Sequence, residues 1–195
     1  MTPTVTALRE RKRARVAVEL DGREWRVLSA DAVVRAGLAV GRPLDRLTAR
    51  QLAREVRRAR ALSQATRTLA ATARSRGELE QRLERAGHAE AARVEALESL
   101  GRAGLVDDAR LAEDRAGMLA RRGYGDAAIR ADLRRRMIGA EAVSEAVAGL
   151  EPELTRVRGL VAGKDVTPSL LRRLAGRGFS RDTLDAVGSR FAQEA

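Results

Sequence analysis

The chain has 195 residues, 44% of them hydrophobic, so it buries a real core and is not a disordered polymer. It holds no cysteine and a single histidine, which excludes disulfides, thiolate or histidine-rich zinc sites and Cys/His catalytic pairs. The formal charge is +11, and 36 of the 38 basic residues are arginine, whose planar fork suits phosphates and carboxylates.

That charge is uneven. Residues 1–60 carry 15 basic against 7 acidic residues, whereas 61–104, 105–150 and 151–195 sum to +1, zero and +2. A protein that coats DNA uniformly would spread its excess along the chain. Residues 1–15 contain no apolar secretory core, and no stretch approaches the roughly 20 apolar residues of a membrane span. A cytoplasmic location without membrane contact is the expectation.

Residues 1–14, with Arg9, Arg11, Lys12 and Arg13, read as a flexible basic arm. Val16, Val18 and Leu20 then alternate with polar residues up to Asp21-Gly22, and Trp25, Val27 and Leu28 follow. Asp-Gly between two such runs predicts a two-residue type I′ hairpin, the only β structure expected. Trp25, Phe179 and Phe191 are expected in the core, so few aromatics remain to stack bases. Ser29 caps a short helix that stops near Gly37, and Gly41-Arg42-Pro43 forms a turn. Thr48 with Gln51 has the spacing of a capping box for a helix carrying Leu52 and Val56. Arg46, Arg50, Arg54 and Arg58 recur at i+4 on it, with Arg57 beside them. Residues 15–61 thus form a hairpin-plus-helix extension.

From residue 62 the sequence repeats. An offset of 50 sets Leu79 on Ile129, Leu83 on Leu133, His88 on Ile138 and Leu97 on Val147. A further 41 sets Ile129 on Leu170, Leu133 on Leu174, Ile138 on Phe179, Val143 on Leu184 and Leu150 on Phe191. Ser75 with Glu78, Thr167 before Pro168, and Ser180 mark helix starts. One more amphipathic segment precedes each pair, near 62–73, 108–121 and 151–163. The fold class that follows is mainly α. Three tandem three-helix repeats, at 62–104, 105–150 and 151–195, would stack into an elongated curved solenoid behind the N-terminal extension.

Several residues then resemble a known family. Arg74-Ser75-Arg76-Gly77-Glu78-Leu79 with Leu83 looks like the opening of the first repeat of the RecX family. The run from Gly104 to Ala112 resembles the signature between its first two repeats. Arg122-Gly123-Tyr124-Gly125 and Arg177-Gly178-Phe179 resemble elements of the second and third. Leu111 stands where the family usually has Phe, and Thr72 where it has a basic residue. The resemblance covers about residues 62–191. It implies a regulator that binds RecA and RecA filaments on single-stranded DNA. It also implies inhibition of ATP hydrolysis, strand exchange and co-protease activity in recombination, DNA repair and the SOS response.

On that reading the partner-binding residues are Arg50, Arg54, Arg57 and Arg58 in the extension, and Arg121, Arg122, Tyr124, Arg130, Arg134 and Arg136 in repeat two. Arg172, Arg173 and Arg177 join them in repeat three. Against this stand solvated helix faces for the arginines and simple packing for Tyr124, with Asp126 and Asp132 available for ordinary helix ion pairs. Asp107-Asp108 reads as an N-cap and helix-dipole complement rather than a Mg²⁺ site. No sequence fits G-x-x-x-x-G-K-[ST], so ATP turnover is not expected; the expectation is a protein with no cofactor and no active site. A monomer touching single- or double-stranded DNA only through salt-sensitive electrostatics completes the expectation. The alternative is a basic helical DNA-binding or architectural protein.

Overall fold

The computed structural model describes residues 2–193, with side chains through residue 189. Three strands, β1 (Val5–Arg11), β2 (Arg15–Leu20) and β3 (Arg23–Ser29), open the chain. They are followed by α1 (Ala30–Arg35), α2 (Arg46–Ala71), α3 (Arg76–Arg85), α4 (Glu90–Arg102) and α5 (Asp108–Arg121). Then come α6 (Asp126–Arg135), α7 (Ala140–Ala148), α8 (Glu153–Val161), α9 (Pro168–Gly176) and α10 (Arg181–Gln193). No helix among the described residues is long and apolar enough to cross a membrane.

The chain divides into two compact units. The first comprises Met1–Thr72 with Leu79–Leu105, and the second Ala73–Glu78 with Val106–Ala195.

In the first unit the expected hairpin is present. Asp21 and Gly22 have φ of 49° and 79°, the left-handed pair a type I′ turn requires, and Leu20 faces Arg23 across it. The basic arm is not an arm. Residues 5–11 form the third strand of an antiparallel sheet of order β1-β2-β3, and Val5 is fully buried with Val16, Val18, Leu28 and Leu52. Alternation in 5–11 is masked by charges on its exposed face, while the anchor, Val5, is a single residue. A third strand also removes the marginality of an isolated hairpin.

Two helix boundaries differ from the sequence reading. The Thr48 box does not form: Asp45 caps α2, its carboxylate accepting the Thr48 N–H at 2.8 Å, and Thr48 is buried in the first turn. Helix α2 also runs through the expected boundary at residue 61 without a break. Its second half therefore serves as the first helix of repeat one, because no Gly or Pro interrupts residues 46–71. Ser29 does cap α1, and Ser75 with Glu78 forms the reciprocal box at α3, with bonds of 3.0 and 3.1 Å.

The repeat is structural as well as sequential. The N–H of His88, Ile138 and Phe179 donates to the carbonyl of Leu83, Leu133 and Leu174 at 3.1, 3.3 and 3.3 Å. The residue before each donor, Gly87, Met137 or Gly178, takes positive φ (78°, 57° and 84°). Each copy thus closes its middle helix with the same left-handed stop. Beneath the stops lie the core residues of each copy: Leu79, Leu83, Leu97 and Leu100 in the first; Ile129, Leu133, Val143 and Val147 in the second; Leu170, Leu174, Leu184 and Val187 in the third. The side chain of Phe191, expected in the third core, lies outside the described residues.

Candidate partner-binding faces

In the first unit the arginines of α2 do not form one open stripe. Each i+4 step on a helix advances about 40° around the axis, so four such positions wind across roughly a third of the circumference. Arg50 and Arg57 are exposed and have no ion-pair partner among the described residues. Arg54 turns toward α4, its Nε donating to Glu95 at 2.9 Å, which together with the Glu95 charge raises its pKa further.

Arg58 corrects the expectation most clearly. It is 5% exposed and bonded to Glu55 at 3.0 Å, to Ser99 at 3.4 Å and to the Asp31 carboxylate. It ties α1, α2 and α4 together and offers no free donor face to a partner. Trp25 departs in the opposite sense: it is 38% exposed on β3, not in the core. Arg60 and Arg67, which the sequence reading passed over, lie beyond this knot on the same helix and are exposed.

In the second unit Arg121, Arg122 and Arg134 are exposed and Arg130 is half-buried, and none has an acidic partner among the described residues. Arg130 and Arg134 share the outer side of α6, whose other side buries Ile129 and Leu133. The acidic residues that stood as their candidate neutralisers are committed elsewhere. Asp132 takes a two-pronged pair from Arg115 at 2.7 and 3.2 Å, with Arg135 at 3.1 Å, and these hold its carboxyl below the usual range. Asp126 pairs with Arg156, which is 8% exposed in its side chain and also donates to the Tyr124 carbonyl at 3.0 Å.

Arg136 is partly engaged, 3.8 Å from both Glu78 and Asp132. Tyr124 is half-buried and packs against the repeat-two core. Asp107 caps α5, accepting the Arg110 N–H at 3.0 Å, and Asp108 accepts the Arg76 N–H at 2.7 Å, so both carboxylates serve local structure.

Arg173 and Arg177 come together with Lys164 around a cleft of about 200 Å³ that is also lined by Leu160, Leu170 and Leu174. Arg172 is exposed on the same helix as Arg173. The Arg177 guanidinium reaches back toward repeat two, 3.1 Å from where a side chain on Gly123 would begin. Lys164, one of only two lysines, gave no pattern by which sequence reading would have singled it out.

Junction chemistry between repeats two and three explains two of the family-like motifs. The Gly125 N–H donates to the Arg177 carbonyl at 2.9 Å, and the Ala127 N–H to that of Gly178 at 3.2 Å. Glu153 sits between, accepting the Asp126 N–H at 2.8 Å, the Ser180 N–H at 3.1 Å, and the hydroxyls of Ser180 and Thr183 at 2.6 and 2.9 Å. Burial alone would raise the Glu153 carboxyl, but these donors outweigh it and bring the group below its usual range.

Repeated three-helix units with a common stop, preceded by a small antiparallel sheet, define a helical-repeat protein. The family pattern for the second three-helix domain of RecX matches residues 107–147. The regulatory protein RecX of Mycobacterium leprae (strain Br4923) is 32% identical over 137 residues, covering 62% of this chain and 79% of that protein. Its namesake from Mycolicibacterium vanbaalenii (strain DSM 7251 / JCM 13017 / BCRC 16820 / KCTC 9966 / NRRL B-24157 / PYR-1) is 33% identical over 150 residues, covering 66% of this chain and 80% of its own. A crystal structure of a regulatory protein RecX superposes with a TM-score of 0.80 at 19% identity, over 96% of this chain and 99% of the other. RecX from Lactobacillus salivarius gives 0.60 at 17% identity, over 70% and 97%. The chain belongs to the RecX family of regulatory proteins.

Proposed function

We propose that this protein binds RecA and RecA filaments on single-stranded DNA, and that it lowers their ATPase, strand-exchange and co-protease activities in recombination, repair and the SOS response. It acts as a cytoplasmic monomer, with no cofactor and no active site of its own. Membership of the RecX family is the observation that carries this reading.

The unpaired arginines of α6 and of the Arg173–Arg177 cleft supply its chemistry. They are fork-shaped donors whose nearest carboxylates are already spent on internal pairs, so they meet an acidic surface or a phosphate without first breaking a bond. Arg50 and Arg57 do the same on α2. Several weak basic contacts on one chain, each reaching a neighbouring copy of a polymeric partner, add through effective concentration. Holding protomers in a geometry unlike the active one then shifts the filament's population away from it.

The experiment is RecA ATPase on single-stranded DNA with this protein well below one per RecA protomer. Inhibition at that ratio supports the reading. No effect at saturation, with tight binding to bare duplex, favours a DNA-binding architectural protein instead.

A further inference from the structure

Two adjoining grooves in the first unit have a chemistry that the arginine count alone does not reveal. One, of about 530 Å³, is lined by Arg15, Arg60, Arg67 and His88 with Ser29 and Gln64 among its neutral groups. That volume lies within the size range of ligand clefts. The other, of about 270 Å³, is bordered by Trp25, Arg26, Arg57 and Arg60 over an apolar floor of Leu52 and Val56. Arg60, Leu28 and Val56 line both, so the two form one continuous surface.

No carboxylate lines either groove among the described residues. Arg60 has no ion-pair partner among them, Arg15 donates only to the Val27 carbonyl at 2.8 Å, and Arg67 only to the Ser63 carbonyl at 3.3 Å. Each therefore keeps further N–H donors for an anion. Helical geometry produces the cluster: Val56, Arg60, Ser63, Gln64 and Arg67 follow the i, i+4, i+7, i+8, i+11 spacing of one helix face.

Trp25 gives the surface its second property. The residue is 38% exposed at the rim, with the Arg26 guanidinium 5.1 Å from the ring centroid. A cation lying over an aromatic plane combines the two kinds of surface on which an unpaired base stacks.

We propose that this surface binds single-stranded nucleic acid, with backbone phosphates held by Arg15, Arg60 and Arg67 and a base stacked at Trp25 and Arg26. A duplex satisfies only the phosphate half, because its base faces are already covered by their neighbours. An acidic peptide also satisfies only the charged half. The site adds to the function proposed above and does not depend on RecA, since the test contains none.

Trp25 is the only tryptophan in the chain, so its fluorescence reports this site alone. The full chain is titrated with oligo-dT, oligo-rU, a mixed-sequence duplex and poly-glutamate, following tryptophan emission and the anisotropy of labelled oligonucleotide together. Saturable quenching by a single strand is expected, with little from duplex or poly-glutamate. W25L is expected to weaken single-strand binding about tenfold. R60E/R67E is expected to weaken it at least as much and to lower the log–log salt slope by about two. Both variants change exposed side chains, and circular dichroism checks that helicity is kept. Stronger binding of oligo-dT assigns the site to DNA, and of oligo-rU to RNA. Single-strand binding without quenching, quenching matched by duplex or poly-glutamate, or unchanged affinity in folded R60E/R67E would each overturn the proposal.

Discussion

Gly125 and Gly178 meet backbone to backbone, with no room for a side chain on Gly125 and the backbone nitrogen of Ala128 2.5 Å from where one on Gly178 would begin. Gly178 also needs its positive φ of 84°. The two glycines of the family-like motifs are therefore a packing device, at which repeat two donates main-chain hydrogen bonds to repeat three. A methyl group at Gly125 meets main chain that has no rotamer to change. G125A is expected to cost about 3 kcal/mol, which lowers the melting temperature of a chain this size by about 6–12 °C. Thermal unfolding followed by circular dichroism measures it, and an unchanged midpoint would contradict this account of the junction.

Arg57 and Arg58 are neighbours in sequence with opposite roles. R58A strips the shared partner from exposed Asp31 and from buried Glu55 and is expected to cost about 3 kcal/mol. R57A is expected to stay within about 0.5 kcal/mol of the parent, because it removes an exposed group with no internal bond. Urea denaturation of the two variants checks the contrast. Equal stability would mean the α1–α2–α4 knot contributes nothing.

Asp132 and Glu153 set the acid limb of stability. Both have folded-state pKa values below the ordinary carboxylate range of about 4. Their contribution is complete above the unfolded value and is lost as pH falls through the lower folded value. Melting temperature is therefore expected to stay level between pH 7 and 5 and to drop below about pH 4. E153Q is expected to lose about 1–2 kcal/mol near neutrality, since the carboxylate caps two helix starts, and to show a shallower acid limb. A limb identical to the parent's, measured across a pH series, would remove Glu153 from this role.

Met137 occupies the left-handed stop that glycine fills in the other two copies. M137G is expected to stabilise the chain by up to about 1 kcal/mol, because the Cβ penalty of that conformation exceeds the entropic cost of glycine there. Calorimetric unfolding reads the shift, and a clear loss of stability would show that packing of the Met137 side chain against Gly77 outweighs its backbone strain.

The core of the repeats was legible in the sequence because burial imposes a period. Leu83, Leu133 and Leu174 keep their places at offsets of 50 and 41, and Asp21-Gly22 marks its turn by composition alone. Elements without a period were not legible. The strand Val5–Arg11 hides one buried valine among charges, and α2 crosses the repeat boundary because nothing in residues 46–71 breaks it. The sites were harder still. Whether an arginine is free depends on which distant carboxylate reaches it: Asp31 lies 27 residues from Arg58, and Glu95 lies 41 from Arg54. Nor does a helical stripe such as Arg60–Arg67 disclose that β3 and the α3–α4 turn close a groove over it.

Sedimentation of this protein with RecA filaments on single-stranded DNA, across a salt series, tests the central reading most directly. Co-pelleting at low salt that falls steeply as salt rises is expected, with a clear loss of it when Arg130 and Arg134 are both reversed to glutamate with helicity intact. Protein that stays in the supernatant at every salt concentration, while RecA filaments pellet normally, would contradict it.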